Sequence, residues 1–537
     1  MLNKIYDYPV LVLLVTSILL FFFNLADLPI SIMEARNFNV AREMLTEGNW
    51  LLTTMNDVPR YEKPPFPAWF STPFIQFDIN SVVLNRLPTS IMATLGVLLS
   101  YYLFKVLSAS KKLALIAGLI LGTSLYYIAI RFEAPSDTYT HVAMIGGLLF
   151  MVKALQAAKL KFWYALLAIL GFAISVLSKG PVSLYALFLP FIIAYWITYK
   201  STLRHKVLTL VLLILGTVLG ASWYLYVRLE NPEVFLEIAN EETNNWSSYN
   251  VRPFYYYWSF FIQSGIWTIP AFLSLIYPYF KTKVKNKKLY LFSWLWTIGV
   301  VILLSIIPEK KSRYLVPVLF PLALNIAQIL VYQFKTKKLD ELSKYMMKFH
   351  YLILFLIGIS VVTLPYFIEL KTTEFWIWYY VLIILMFGVS VLIFFNFSPL
   401  KPKKLFLSNI FLIVIITSIG TYGIKFLKKN ENYKTLASFQ IENPLYYYHG
   451  IRPEVIWESG TKSKPFKISK TPNVKEQIQV IVNKNTAQEF EDRIEKKYTV
   501  LSIDSFDRNY FKERDDRKFR DRYVIFIYTI QTKSNTE

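Results

Sequence analysis

A short block between prolines, residues 59–65, combines side chains suited to handling a phosphate group. It reads Pro-Arg-Tyr-Glu-Lys-Pro-Pro, and the prolines hold the residue before them in an extended path. Lys63 can bind a phosphate as a point charge, and Glu62 can bind a metal or an amine. The alternative interpretation is a rigid connector that carries a solvated ion pair.

A helix that begins with Glu34 and ends before Gly48 is predicted just upstream. Its apolar side chains fall on one face, and Gly48 is a typical helix stop. Such a helix would lie along a membrane surface. Glu34 stands near its start and could serve as a general base on an acceptor hydroxyl. The alternative is an ordinary acid favoured by the helix macrodipole.

Three later connections between apolar segments add one acid and several cations. Asp137 stands at the mouth of a segment, where an ionisable group is costly and is by default a functional candidate; it could also be a helix N-cap. Lys179 lies between two apolar segments, and Arg313 belongs to the basic run 308–317. Snorkelling to lipid headgroups is the alternative for these cations. Together the groups suit transfer away from a phosphate leaving group, with cations stabilising the phosphate and a carboxylate accepting the nucleophile's proton.

The elements that must position these residues are membrane spans. The chain has 537 residues, of which 55% are hydrophobic and 18% are charged, and the apolar residues fall in blocks of about 20. The sequence contains no cysteine, which excludes disulfides and thiolate metal sites. About thirteen spans are predicted, with limits near 8–26, 83–104, 113–130, 139–158, 162–178, 182–199, 207–227, 256–280, 289–307, 314–334, 349–369, 376–397 and 405–426.

The connections alternate in charge. Six short loops hold 22 lysines and arginines, whereas the intervening short loops hold six. Basic residues accumulate in cytoplasmic loops, so the pattern predicts a cytoplasmic N-terminus, external loops 27–82 and 228–255, and an external C-terminal tail. The net charge of +22 is therefore mainly an orientation signal, and nucleic-acid binding is not expected.

The tail is more polar than the rest of the chain. Short β-rich runs at 479–482 and 523–528 flank a helical stretch at 486–497. The sequence thus predicts two domains: an all-α polytopic membrane domain over 1–426, and a small external α/β domain over 427–537 that is large enough to fold alone.

The motif residues resemble those of the polyprenyl-phosphate-dependent glycosyltransferases of the GT-C superfamily. The nearest branch contains the lipid A aminoarabinose transferases and the protein O-mannosyltransferases. The resemblance runs in order over roughly 1–320. It rests on Met33-Glu34-Ala35-Arg36, Arg42-Glu43-Met44, Gly48-Asn49-Trp50, Tyr61-Glu62-Lys63-Pro64-Pro65, Pro135-Ser136-Asp137, Ser178-Lys179-Gly180-Pro181 and Lys311-Ser312-Arg313-Tyr314.

This resemblance implies a GT-C fold in an inner or plasma membrane, with external interfacial helices. It also implies inverting transfer of a hexose or pentose from a polyprenyl-phosphate donor to lipid A, a surface glycan or a protein. By matching position, Lys63 and Arg36 would hold the donor phosphate, helped by Lys179 and Arg313.

Two departures from the family pattern affect the expected site. The family has an aspartate where this chain has Met33, so the base is expected to be Glu34, with Asp137 as the alternative or a partner. Glu62 stands where the family has a metal ligand, but the external loop around Glu242 has no histidine. A divalent metal would therefore need oxygen ligands such as Glu62 and Glu242.

Two other functions are compatible with a polytopic chain. A transporter or flippase for a lipid-linked substrate would favour internal repeats and discontinuous midplane helices, and the sequence shows neither. An envelope assembly protein without chemistry of its own would not need the motif block. Both remain alternatives to the enzyme.

The predicted orientation has a direct test. A reporter enzyme that is active only outside the cytoplasm, fused after Ile530, is expected to be active because the tail is predicted to be external. The same reporter placed in the basic loop 281–288 is expected to be inactive. The opposite result for the pair would overturn the topology.

Overall fold

The protein is described by a computed structural model that covers residues 6–133, 135–427, 430–468, 477–512 and 519–533. The predicted domains therefore each include some residues outside the described ones. The α-helices are α1 Pro9–Phe21, α2 Ile32–Glu47, α3 Phe66–Ile75, α4 Val82–Ser108, α5 Lys111–Gly122, α6 Leu125–Glu133, α7 Pro135–Gln156, α8 Phe162–Lys179, α9 Leu189–Thr198, α10 Leu203–Glu230, α11 Pro232–Ser248, α12 Thr268–Leu275, α13 Tyr277–Phe280, α14 Lys287–Ile306, α15 Leu319–Lys335, α16 Glu341–Ser360, α17 Leu364–Phe367, α18 Thr373–Phe397, α19 Pro402–Ser418, α20 Pro453–Ser459 and α21 Ala487–Ile494.

Shorter elements complete the chain. A π-helical turn covers Leu184–Phe188. The 3₁₀ turns are Phe254–Tyr257, Phe260–Trp267, Ser312–Val318, Val361–Thr363, Gly420–Phe426, Leu436–Ser438, Lys484–Thr486 and Asp521–Tyr523. The strands are β1 Thr54–Met55, β2 Val58–Pro59, β3 Leu445–Tyr447, β4 Lys464–Pro465, β5 Ile478–Asn483, β6 Tyr498–Asp507 and β7 Val524–Thr532.

The helical bundle confirms a polytopic membrane protein but not the count of thirteen spans. Within the described residues, nine helices are long and apolar enough to cross a membrane, and the pair α5 and α6, bent by 50°, makes a tenth if it is one span. Two further predicted spans are the shorter apolar helices Pro9–Phe21 and Leu184–Thr198. Gly180, with φ of 75°, and Pro181 separate the predicted spans 162–178 and 182–199, so this break is a tight connection.

The predicted span 256–280 is not a continuous helix. Its first part forms two 3₁₀ turns, and Gly265 has a φ of 64°, which lies in the left-handed region. A regular helix resumes only at Thr268 and ends at Leu275. The composition of this segment is apolar enough for a span, but its backbone does not follow one helical path.

The first external segment is built around α2. Ser31 and Glu34 form a capping box at its start, and Gly48 in the left-handed conformation ends it. The strands β1 and β2 follow as an antiparallel hairpin, whose turn residues Asn56 and Asp57 both have positive φ. The Glu43 carboxylate accepts hydrogen bonds from the backbone N–H of Asn56 and from the Thr54 hydroxyl, so it fixes this turn to the helix.

The C-terminal α/β domain contains a five-stranded mixed sheet in the order β4-β3-β5-β7-β6. The predicted β-rich runs correspond to β5 and β7, which pair antiparallel, and the predicted helix corresponds to α21. The longer strand β6 lies at an edge of the sheet, beside β7.

This domain is docked on the first external segment. The Arg42 guanidinium on α2 donates to the backbone carbonyls of Ile456 (2.8 Å) and Trp457 (3.2 Å) near the end of α20. Phe38 packs against the Trp457 ring at 5.2 Å between centroids. The Asn56 side chain exchanges two 2.8 Å hydrogen bonds with the Ser463 backbone. The apolar face predicted for α2 is thus buried partly against the C-terminal domain.

Candidate active site

A pocket of about 270 Å³ opens between α2 and the start of α3. Its wall includes Asn37 from α2 and the side chains of Arg60 and Lys63 from the proline-flanked block. Pro64 and Pro67 form part of the same wall, and Pro64 restricts Lys63 to an extended path. The pocket therefore presents two cations on a rigid backbone.

Lys63 is mostly withdrawn from solvent. Its Nζ lies 3.6 Å from the Glu242 carboxylate, which α11 brings from the second external loop. Burial lowers the pKa of Lys63 below its usual value; Glu242 opposes this shift, and the charges of Lys179 and Arg60 add to it. Lys63 therefore lies close to other cations, and a polyanionic ligand would offset the repulsion between them.

Arg60 is buried beside Lys63 and supports α2. Its Nη1 donates to the Arg36 carbonyl at 2.7 Å, and its Nε lies 3.8 Å from the Glu62 carboxylate. Burial lowers its pKa to about 10, partly opposed by Glu62. The Arg36 guanidinium makes only a 3.9 Å contact with the Met33 sulfur, and no carboxylate pairs with it among the described residues.

Asp137 and Lys179 form a buried ion pair at the base of this region. The Lys179 ammonium donates to Asp137 Oδ1, and His141 Nε2 lies 4.0 Å from the same oxygen. The centroid of the Tyr314 ring lies 5.2 Å from the Lys179 ammonium. Asp137 is 2% exposed, so its charge depends on these partners rather than on water.

The pocket and the ion pair are neighbours. The Asn37 side-chain amide, which lines the pocket, donates to the Ser136 hydroxyl at 3.1 Å, one residue before Asp137. The charge of Lys179 also acts on Lys63. The structure therefore brings together Lys63, Lys179 and Asp137, which are far apart in the sequence.

Arg313 approaches the same region from the turn before α15. It lies within electrostatic range of Asp137, and its Nε is buried without a hydrogen-bond partner in the described part of the chain. Nearby, the Glu309 carboxylate pairs with Lys311 at 2.5 Å and accepts from the Tyr314 hydroxyl at 3.2 Å. Arg313 thus keeps donor capacity for a ligand, whereas Lys311 is already paired.

Glu34 is held apart from these groups. Arg86 Nε donates to its Oε1 at 2.7 Å, Arg86 Nη2 donates to Oε2 at 3.1 Å, and the Ser31 backbone N–H donates to Oε2 at 2.9 Å. Glu34 is 1% exposed. The geometry argues against the predicted role of Glu34 as the base, because both of its oxygens accept hydrogen bonds from Arg86 or Ser31. The contacts of Asp137 with Lys179 and His141, in contrast, involve only its Oδ1.

The predicted metal ligands do not form an oxygen-rich site. Glu62 faces Arg60, and Glu242 faces Lys63, so each carboxylate already has a cationic side chain as its partner. No group of three histidine, cysteine, aspartate or glutamate side chains suitable for a metal occurs among the residues that the structure describes. This donor set does not fit a divalent metal.

Sequence reasoning missed Arg86 as the partner of Glu34, and Arg60 as a buried member of the site. Arg86 lies inside an apolar predicted span, and a charge at such a position is a signal that could have marked it. Arg60 was visible in the motif block, but its burial depends on contacts with α2.

Comparisons with known proteins identify related sequences and a related fold. The sequence profile of the family described as "Dolichyl-phosphate-mannose-protein mannosyltransferase" matches residues 62–223. An uncharacterized protein of Aquifex aeolicus is 27% identical over 342 residues, covering 62% of this chain and 66% of that protein. The "Undecaprenyl phosphate-alpha-4-amino-4-deoxy-L-arabinose arabinosyl transferase 2" of Proteus mirabilis is 24% identical over 305 residues, covering 55% of this chain and 54% of that enzyme.

The whole fold has a solved counterpart. The crystal structure of ArnT from Cupriavidus metallidurans bound to undecaprenyl phosphate matches with a TM-score of 0.67, at 16% identity, and covers 97% of each chain. The chain spans between about half and two thirds of the sequence relatives given above. The predicted resemblance to the GT-C glycosyltransferases is confirmed, and the fold is of the ArnT type.

The buried pair predicts a stability effect. Glu34→Gln would leave the Arg86 charge buried without its counter-ion, which is expected to cost about 3–5 kcal/mol. The purified full-length variant should therefore unfold at a clearly lower temperature than the parent in the same detergent. Glu62→Gln, at a half-exposed carboxylate, is the matched control and should unfold close to the parent. Equal unfolding temperatures for Glu34→Gln and the parent would contradict a structural role of the Glu34–Arg86 pair.

Proposed function

We propose that the protein is an integral membrane glycosyltransferase that moves a sugar from a polyprenyl-phosphate donor to an acceptor outside the cytoplasm. The observation that carries this proposal is that the pocket lined by Lys63 neighbours the buried pair of Asp137 and Lys179, whose charge acts on Lys63. The similarity to enzymes named for undecaprenyl-phosphate-linked sugars supports the class of donor. The transferred sugar is a pentose or a hexose, and the acceptor is lipid A, another surface glycan or a protein.

The donor phosphate is the leaving group. As the bond between the anomeric carbon and the phosphate oxygen breaks, negative charge grows on that oxygen and needs preorganised cations. Lys63 and Arg60 line the pocket, and the charge of Arg36 acts on Arg60. The charge of Lys179 acts on Lys63, and that of Arg313 acts on Asp137. Lys63 and Lys179 are each paired with a carboxylate before the donor arrives, so a phosphate would compete for cations that are already oriented.

Asp137 is the proposed base. It would take the proton from the acceptor's hydroxyl or amine as that group attacks the anomeric carbon from the face opposite the phosphate, which inverts the configuration. Lys179 keeps Asp137 ionised until the donor phosphate draws the ammonium toward itself. His141 Nε2 lies 4.0 Å from the Asp137 carboxylate. Glu34 acts by positioning α2 rather than by proton transfer.

Loss of the phosphate-binding lysine tests the proposal. Lys63→Ala is expected to reduce transfer from a radiolabelled polyprenyl-phosphate sugar by at least about a hundredfold, the size expected when one preorganised donor is removed. Lys484→Ala, at an exposed ion pair in the C-terminal domain, is the matched control and should keep parental transfer. Full transfer activity in a correctly folded Lys63→Ala variant would contradict the proposed site.

The pH dependence of donor binding is a second test. Lysine binds phosphate only when it is protonated, and burial lowers the pKa of Lys63. Affinity for polyprenyl phosphate should therefore fall as the pH rises through a value below 10.5, the usual pKa of a lysine. Lys63→Arg should retain affinity to a higher pH, because a guanidinium stays protonated there. Identical pH profiles for parent and variant would contradict a direct role of Lys63 in binding.

A further inference from the structure

A histidine inside the membrane domain lies one helical turn from the proposed base. Asp137 and His141 are four residues apart on α7, so their side chains project from the same face of that helix. His141 is 2% exposed, and its Nε2 lies 4.0 Å from Asp137 Oδ1. An ionisable residue that is buried in a membrane span is costly and is by default a functional candidate.

The segment around the end of α8 supplies a partner to each of these two residues. Lys179 ends the helix and donates to Asp137, and Ser183 places its hydroxyl oxygen 2.7 Å from His141 Nδ1. Gly180, with a φ of 75°, lets the chain turn between the two. The pairs Lys179–Asp137 and Ser183–His141 therefore lie side by side, with the same spacing of four residues in both segments.

The hydrogen bonds around His141 indicate which ring nitrogen carries the proton. The Ser183 hydroxyl is nearer to His141 Nδ1, at 2.7 Å, than to the Thr140 hydroxyl, at 3.2 Å. Thr140 has the Ser175 carbonyl as its own acceptor at 2.8 Å. When Ser183 donates to Nδ1, the ring proton is on Nε2, which faces Asp137. The ionised carboxylate favours this tautomer, because it attracts an N–H group and repels a bare ring nitrogen.

The proposed reaction creates a need for this N–H group. The donor phosphate is proposed to draw the Lys179 ammonium away from Asp137, and a buried charge that loses its partner is strongly destabilised. His141 Nε2 has to move only about 1 Å to reach the usual hydrogen-bond distance of about 2.9 Å. Because Lys179 and His141 both contact Oδ1, His141 can replace the ammonium on the same oxygen and leave Oδ2 for the acceptor's proton.

We propose that His141 is a positioning residue for the base, an inference that rests on the proposed function. Its Nε2–H, directed by Ser183, takes over the Asp137 carboxylate as Lys179 moves to the donor phosphate. This exchange keeps Asp137 ionised and oriented during the attack, and it lowers the free energy needed to release Lys179. His141 acts through Asp137 and not on the substrate.

Binding of undecaprenyl phosphate to the purified full-length protein tests this role without an acceptor. His141→Leu should lower the affinity at least about tenfold, the effect of losing one hydrogen bond to a charged group, because Lys179 then leaves a carboxylate that has no second partner. His141→Gln keeps an amide N–H and should restore most of the affinity. His350→Leu is the matched control: His350 is also buried, but it contacts Asn409, so this variant should bind like the parent.

Replacement of Lys179 separates this role from general support of the fold. In a Lys179→Met background there is no ammonium to release, so adding His141→Leu should change the remaining affinity by less than about twofold. Ser183→Ala removes only the hydroxyl that directs the ring and should lower the affinity about threefold in the parent background. This variant keeps the test decisive even if His141→Leu does not fold.

Three results would overturn the role of His141. They are parental affinity in both His141→Leu and Ser183→Ala, an equal loss in His350→Leu, and a loss that persists undiminished when Lys179 is replaced. Failure of the proposed function itself is distinguishable, because Lys63→Ala would then bind undecaprenyl phosphate as tightly as the parent.

Discussion

The external part of this protein depends on one buried charge pair. Glu34 lies in the first turn of α2 and Arg86 lies in the first turns of α4, and both side chains are almost completely buried. Arg86 also donates hydrogen bonds to the backbone carbonyls of Leu25 (2.5 Å), Leu28 (3.0 Å) and Pro29 (3.3 Å). These bonds give partners to carbonyl groups in the segment that follows α1. A buried pair of this kind is stabilising only when every donor and acceptor is engaged, as they are here. It therefore fixes the direction in which α2 leaves the bundle.

The position of α2 sets the rest of the site. One end of the helix is held by Arg86, the middle contacts α7 through Asn37 and Ser136, and the far end carries Arg42 into the C-terminal domain. This arrangement leaves a gap beside the proline-flanked block, where cations outnumber nearby acids. In the proposed function, the phosphate of the donor would restore the charge balance.

Sequence patterns predicted the elements better than their contacts. Apolar blocks and charged loops indicated the membrane spans, and β-branched runs indicated β5 and β7, because both signals are local. The prediction of one continuous helical span over 256–280 was wrong, because amino-acid composition does not reveal the left-handed backbone at Gly265. Asp137 and Lys179 were each recognisable at the mouth of a span, but their pairing is a tertiary contact. Glu34 was predicted as a base from its position in the motif, whereas its pairing with Arg86, 52 residues away in another helix, is a tertiary contact that the sequence does not reveal.

The phosphate of the lipid donor is proposed to bind among Lys63, Arg36 and Lys179. An experimental structure of the full-length chain with bound polyprenyl phosphate measures this directly. The account predicts phosphate oxygens within about 3 Å of the Lys63 ammonium, with Lys179 shifted from Asp137 toward the phosphate and the Glu34–Arg86 pair unchanged. A phosphate bound elsewhere, with Lys63 still facing Glu242 alone, would contradict the account.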